Sequence, residues 1–244
     1  MLAASQGQAL WYLTRGTGAV TLIGLSLSVV LGVADVARWH ARRWPRFVVD
    51  RLHRNVSLGV LVLLTAHVGT TLLDGYAPIG LLDVVLPLHG AYRPVWLGLG
   101  ALALDVLVAV SLSSMLRGRL GHRAWRAIHW AAWVCWPLAV VHGLGTGTDS
   151  AGSWMLALTG LCVLAVIAAA ATRTARGWPA QRRVRVGALA TMAVAPLVLV
   201  LWLGQGPLAP GWARRAGTPA SLLSHRAAPV RTGAAAPSRL AVAR

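Results

Sequence analysis

The sequence predicts an all-α protein that crosses a lipid bilayer several times as a helix bundle. Of its 244 residues, 57% are hydrophobic and only 12% are charged, a composition typical of polytopic membrane proteins rather than of soluble domains. The apolar residues occur in runs of about 20, the length that a helix needs to cross the hydrocarbon core. The only two cysteines, Cys135 and Cys162, lie in different runs, where a thiol behaves as a small apolar side chain. We therefore predict no disulfide.

Six apolar runs are long enough to span the bilayer. They cover residues 11 to 34, 55 to 73, 94 to 116, 127 to 147, 152 to 172 and 185 to 204. Together they predict one membrane domain over residues 1 to 205. No basic residue precedes the first run, so it lacks the charged start of a cleaved signal and we expect it to be retained. Residues 206 to 244 are rich in Ala, Pro, Gly and Arg, which predicts a disordered tail.

The distribution of arginine predicts the orientation of the bundle. All 23 basic residues are Arg, and the net charge is +17. The connections 38 to 54, 117 to 126 and 173 to 185 hold six, four and five Arg, whereas 74 to 93 and 148 to 151 together hold one. By the positive-inside rule the Arg-rich connections are cytoplasmic and both termini lie outside a cell membrane. Because loop topology accounts for the charge, we predict no nucleic-acid partner.

Four histidines within the second and fourth runs are the strongest functional candidates. His53 and His67 bracket HRNVSLGVLVLLTAH, and His129 and His142 bracket HWAAWVCWPLAVVH. An ionisable side chain inside a membrane span is costly and usually functional. At about 1.5 Å rise per residue, the two histidines of each run are about 20 Å apart, so no single ion can bind all four.

The predicted topology places these histidines in two pairs. Spans two and four run in the same direction, and His53 and His129 each follow a basic connection, so these two should share one depth. His67 and His142 should share the other. Two imidazoles are too few for a closed zinc site but match the two axial positions of a haem, which helix bundles bind between facing helices. The alternative is that these side chains only hydrogen-bond across the bundle.

Several neighbouring residues are secondary candidates. Arg54 and Arg126, beside the inner pair, are candidates to bind haem propionates through charge-assisted hydrogen bonds, in addition to setting orientation. Trp133 and Trp136 are candidates to pack on a macrocycle or to lie between two haems, although core and lipid-facing roles fit equally well. The other histidines, which fall in loops or the tail, are weaker candidates: His40, His89, His122 and His225.

The 13-residue spacing of the second pair of histidines conflicts with an ideal helix. A 14-residue step returns to within about 40° of the starting face, whereas a 13-residue step misses it by about 140°. Pro137 stands between His129 and His142, and a proline inside a helix removes a hydrogen bond and kinks the axis. We predict a local change of winding there that re-aims His142.

At this point the chain resembles the ferric reductase-like transmembrane domain, the haem-binding six-helix unit related to ferric reductases and NADPH oxidases. The resemblance covers about residues 8 to 205 and rests on WYLTRGTGAV in the first run, LHRNVSLG with a histidine 14 residues on, and WRAIHWAAW with a histidine 13 residues on. It implies two b-type haems, His53 with His129 for the inner and His67 with His142 for the outer. It also implies electron flow from a cytoplasmic flavin to an outside acceptor such as ferric iron.

The chain departs from full-length reductases in one respect. They carry a flavin and nicotinamide domain after the last span, whereas only a short tail follows here, and no G-x-G-x-x-G fingerprint is present. We therefore expect a flavin only on a separate flavoprotein donor, and oxidoreductase activity that is incomplete without it. Two alternatives remain: a haem-containing membrane anchor that feeds a separate extracytoplasmic reductase, and, in another class, a cofactor-free transporter or scaffold.

Overall fold

The computed structural model describes residues 2–36, 46–177 and 179–227, and within them it is all-helical, with no strand. The helices are α1 (Leu2–Val36), α2 (Arg46–Leu73), α3 (Leu81–Val85), α4 (Pro94–Met115), α5 (Arg117–His129), α6 (Ala132–Thr146), α7 (Ser153–Ala175), α8 (Arg182–Gln205), α9 (Trp212–Arg215) and α10 (Ala220–Ala227).

The long helices confirm a multi-pass membrane bundle. Among the described residues, α1, α2, α4, α7 and α8 are each long and apolar enough to cross a bilayer. The sixth crossing is formed only if α5 and α6, which meet at an angle of 42°, are taken as one bent span. Many large apolar side chains on these helices are exposed, as a lipid-facing surface requires.

The fourth predicted span is not a continuous helix over 127 to 147. The helix ends at His129, residues 130–131 form a turn, and a new helix begins at Ala132. The backbone N–H groups of Trp133 and Val134 bond three residues back instead of four, which winds the chain more tightly than an α-helix. Pro137 lies inside α6. The change of winding therefore occurs about two turns before the proline, directly after His129.

The first part of the tail is also different from its prediction. Residues 206–227 contain α9 and α10, and residues 212–218 contact the start of α4 and the end of α6. Trp212 and the left-handed Gly211 and Gly217 support its turns. The remainder of the predicted tail, 228–244, lies outside the described residues.

The packing of the helices leaves the two histidine-bearing helices with separate neighbours. α2 packs chiefly against α1, and α6 packs chiefly against α4. α1 also contacts α6 and α7, which places it near the centre of the bundle. A cluster of buried side chains from α1, α2, α4 and α6 fills the middle of the bundle: Leu25, Val60, Ala103 and Cys135.

Candidate cofactor site

The structure brings the four histidines together in the pairs that the arginine distribution predicts. The rings of His53 and His129 have centroids 6.3 Å apart and planes inclined at 76°. His67 and His142 line one cavity at the other end of the bundle. α2 and the bent span of α5 and α6 therefore run in the same direction, with one histidine pair near each end. Coordination of haem by these side chains stays a prediction.

Three of the four imidazoles are oriented by the same kind of hydrogen bond. His53 Nδ1 donates to the carbonyl oxygen of Ser28 at 2.9 Å. In the same way His67 donates to Thr14 at 2.8 Å, and His142 to Trp96 at 2.9 Å. Because a carbonyl oxygen can only accept, Nδ1 must carry the proton in each ring. In a neutral imidazole with its proton on Nδ1, Nε2 carries the lone pair that can bind a metal, and the hydrogen bond fixes the ring as carbonyl partners do for metal-bound histidines.

A glycine four residues after each acceptor makes room for the ring. A Cβ at Gly18 would lie 2.9 Å from His67 Cε1, and one at Gly32 would lie 3.3 Å from His53 Cε1. A Cβ at Gly100 would overlap the His142 ring. We call each carbonyl with its glycine an imidazole seat; the three seats are Thr14 with Gly18, Ser28 with Gly32, and Trp96 with Gly100.

The seats were missed by the sequence reasoning, although two of them leave a signal. Gly18 and Gly32 are 14 residues apart on the first span, the same interval that separates His53 and His67 on the second. In an antiparallel pair of helices, equal spacings place both glycines opposite both histidines. By contrast Gly24 packs against Val60, where a Cβ would lie 2.8 Å from the methyl group.

His129 is held differently from the other three. Its ring stacks on Trp125 with centroids 5.1 Å apart and planes inclined at 28°. Its Nδ1 is buried and has no hydrogen-bond partner among the described residues. It also ends α5 at the turn before α6. The inner pair therefore combines one imidazole in a seat with one that is oriented by stacking.

The separation of the inner rings fits a shared iron. Two metal–nitrogen bonds of about 2 Å, each continued by about 1.1 Å to the ring centre, require centroids about 6 Å apart. The observed 6.3 Å agrees with this requirement. A direct hydrogen bond, with the two nitrogens about 2.9 Å apart, would place the ring centroids about 5 Å apart, closer than the observed 6.3 Å. The orphaned Nδ1 of His129 and the three seats are therefore compatible with two-histidine ligation.

The outer pair faces a cavity of about 300 Å³, within the range of ligand pockets. Its inner part is apolar and is lined by residues such as Leu22, Val60 and Leu104. Its outer rim carries Arg15, which donates to Asp149. Burial raises the pKa of Asp74 above its usual 3.8, against the opposing effect of the Arg15 charge. The cavity thus joins His67 and His142 to a polar rim at the same end of the bundle.

Trp136 lies between the two histidine levels. It packs against both buried clusters of the bundle, including Leu25 and Leu22 of α1. Its indole N–H donates to Ser26 Oγ at 2.9 Å, which satisfies the polar atom inside the membrane. Of the two tryptophans considered from the sequence, Trp136 is therefore the one that bridges the inner and outer parts of the core.

The two predicted propionate partners do not lie against the histidine rings. Arg54 and Arg126 are both exposed, and no contact of either with a histidine ring is present among the described residues. Their role toward a cofactor stays a prediction. Of the weaker candidates, His89 donates to Asp83 at 2.8 Å and His122 packs against Trp125. His40 and the side chain of His225 lie outside the described residues.

The described residues contain no cluster of three or more His, Cys, Asp or Glu side chains that could hold a bare metal ion. The two cysteines are free and buried, as expected for small apolar side chains. Each histidine pair thus supplies two ligands and no more. A group that brings its own remaining ligands fits this arrangement, whereas a bare zinc ion does not.

The fold and the site define this protein as a multi-pass membrane helix bundle with two paired-histidine levels. Comparisons with protein-family models, with curated proteins and with solved structures found no match. The resemblance to the ferric reductase-like domain therefore depends on the sequence motifs alone.

Proposed function

We propose that this protein carries electrons across a cell membrane through two b-type haems. The observation that supports this most strongly is the pair of His53 and His129, whose ring separation of 6.3 Å matches two axial ligands of one iron. The second support is the imidazole seats, whose carbonyl oxygens accept from Nδ1–H and leave Nε2 facing away from the seat. Haem supplies one-electron chemistry and four of the six ligands of its iron.

In this proposal His53 and His129 hold the inner haem, and His67 and His142 hold the outer one. The seats keep the imidazoles of His53, His67 and His142 from rotating, while Trp125 orients His129. Trp136 and the buried cluster exclude water between the two levels. Arg54 and Arg126 are the proposed partners of the inner propionates.

The proposed donor is a separate flavoprotein on the Arg-rich, cytoplasmic side, and the proposed acceptor lies outside, with ferric iron as the leading candidate. Support for the donor side comes from exposed arginines at the inner end of the bundle, where α5 contains no acidic residue. An acidic partner would be attracted to such a surface. The protein would then act as an oxidoreductase only together with that partner.

Proteoliposomes provide the functional test. With a reduced flavodoxin-type donor on the Arg-rich side and ferric citrate on the other, we expect ferrous iron to appear at the acceptor side. His67→Ala should abolish this transfer because the outer site loses a ligand, while His89→Ala, at an exposed loop histidine of the same side, should leave it unchanged. Equal rates in His67→Ala and the unaltered protein would contradict the proposal.

A further inference from the structure

The C-terminal segment 206–218 contacts the start of α4 and the end of α6. The backbone N–H of Arg93, at the start of α4, donates to the carbonyl of Gly217 at 3.0 Å. The Trp212 indole donates to the carbonyl of Gly145 at 3.3 Å. A Cβ at Gly217 would lie 3.0 Å from Pro94 Cδ, so the close approach requires glycine. This segment thus fixes the environment of Arg93.

Arg93 is a buried cation. Only 4% of the residue is exposed, and its backbone is in the left-handed conformation with φ of 43°, which is rare outside glycine. Its guanidinium donates to the carbonyls of Gly145 at 2.9 Å and Thr146 at 3.1 Å, and to Thr218 Oγ1 at 3.0 Å. All these acceptors are neutral, and no carboxylate of the described residues forms an ion pair with it, so the site keeps its positive charge.

The charge lies close to the outer histidine pair. Gly145 follows His142 by three residues, which is about 4.5 Å along a helix. Thr146 links the two groups, because its carbonyl accepts from Arg93 and its hydroxyl lies 3.3 Å from His142 Nδ1. At about 10 Å and an effective dielectric constant of about 20, a unit charge changes a one-electron equilibrium by roughly tenfold.

We propose that the buried positive charge of Arg93 raises the reduction potential of the outer haem. This inference rests on the proposed function. With both haems bound, one electron would pass from the inner to the outer haem with no proton transferred, and the positive charge of Arg93 would favour the negative charge added at the outer site. We expect Arg93 to change the equilibrium constant for reduction of the outer haem about tenfold, which corresponds to about 59 mV for one electron.

The first test neutralises the charge without removing the guanidinium. In Thr218→Asp a carboxylate replaces the hydroxyl that accepts from Arg93 Nε, whereas Thr218→Asn is a neutral control of the same shape. The measurement is a potentiometric titration of the purified protein, followed by haem absorbance. In Thr218→Asp the potential of the outer haem should fall by an amount equal to about tenfold in the equilibrium constant, while that of the inner haem is unchanged. In Thr218→Asn both potentials should change little. Equal outer potentials in the two variants would overturn the inference.

The second test changes Arg93 itself. Arg93→Gln should lower the outer potential and Arg93→Lys should retain most of it, since Lys keeps the charge. If both variants lower it equally, Arg93 acts through the geometry of α6 and the electrostatic inference is wrong. Failure of Arg93→Gln to fold leaves the Thr218 pair to decide. If the unaltered protein binds no haem in haem-supplied cells, the proposed function itself fails, and this inference fails with it.

Discussion

At the scale of single residues, the imidazole seats explain why glycines stand where they do. Gly18 and Gly32 have no conformational need for glycine, because neither has a positive φ. Their lack of a side chain lets the rings of His67 and His53 reach the carbonyls of Thr14 and Ser28. These glycines therefore allow the close approach of α2 to α1, as small residues commonly do where helices pack in membranes.

Gly18→Ala should displace the His67 ring. The new methyl group would lie 2.9 Å from Cε1, and overpacking of this kind costs about 1–3 kcal/mol. We expect partial or complete loss of the outer haem, measured as loss of one component in a reduced-minus-oxidised spectrum. Gly16→Ala, on the same helix with open space around its Cα, is the matched control and should retain the full spectrum. A full spectrum in both variants would show that the seat does not matter.

At the scale of elements, the sequence predicted the positions of most spans but not the break in the fourth. Hydropathy identifies long apolar helices because the bilayer imposes one length. The turn at Trp130 and Ala131 has no glycine or proline to announce it. On one side of the turn, Trp125 stacks on His129 within α5. On the other side a tertiary contact holds α6, in which Cys135 Sγ donates to the carbonyl of Ala103 at 3.3 Å.

The helices in residues 206–227 were also not predictable from the local sequence. Residues 206–227 lack apolar periodicity. Their order depends on the contacts of Gly217 with Arg93, 124 residues away in sequence, and of Trp212 with Gly145, 67 residues away. Local composition could not predict contacts of this range. The histidine pairs were predictable because equal spacing and a shared direction are properties of the sequence itself, whereas the three carbonyl acceptors are backbone atoms and leave no trace in it.

The short helix α3 should respond to acid. The backbone N–H of Gly80 holds the pKa of Asp83 below its usual 3.8, with a further lowering from the hydrogen bond of His89. A carboxyl group whose pKa is lower in the folded than in the unfolded protein stabilises the fold at any pH above its unfolded pKa. This stabilisation is lost as the pH falls through the pKa of the folded protein. Hydrogen exchange over residues 80–92, corrected for intrinsic rates, should therefore rise below about pH 4.

Asp83→Asn is the control for this prediction. It cannot titrate, so its exchange over the same residues should be faster than in the unaltered protein at pH 7 and should change little on acidification. An acid response of the same size in Asp83→Asn would assign the effect to another group.

At the scale of the whole molecule, the charge distribution predicts how a donor would dock. The 244-residue chain should not oxidise NADPH at a useful rate alone, because the sequence contains no G-x-G-x-x-G fingerprint for the nucleotide. An acidic flavoprotein should restore turnover. Raising the salt concentration about tenfold should slow its association, because exposed charges are screened beyond about 10 Å at 0.1 M.

Stopped-flow reduction of the haems by the flavoprotein measures that association. Arg119→Gln and Arg123→Gln, which remove exposed charges of α5 without touching the histidine pairs, should lower the rate and flatten its salt dependence. Rapid NADPH oxidation by the chain alone, or a rate independent of salt, would contradict the expected partner.

The proposed function depends on the number of haems that the bundle binds and on which histidines each haem shares. The decisive measurement is the haem content per chain of the purified protein, taken with dithionite-reduced minus oxidised spectra of the four His→Ala variants. The account predicts two b-type haems, with His67→Ala and His142→Ala losing one component and His53→Ala and His129→Ala losing the other. No haem, a single haem, or joint loss in His53→Ala and His142→Ala would contradict it.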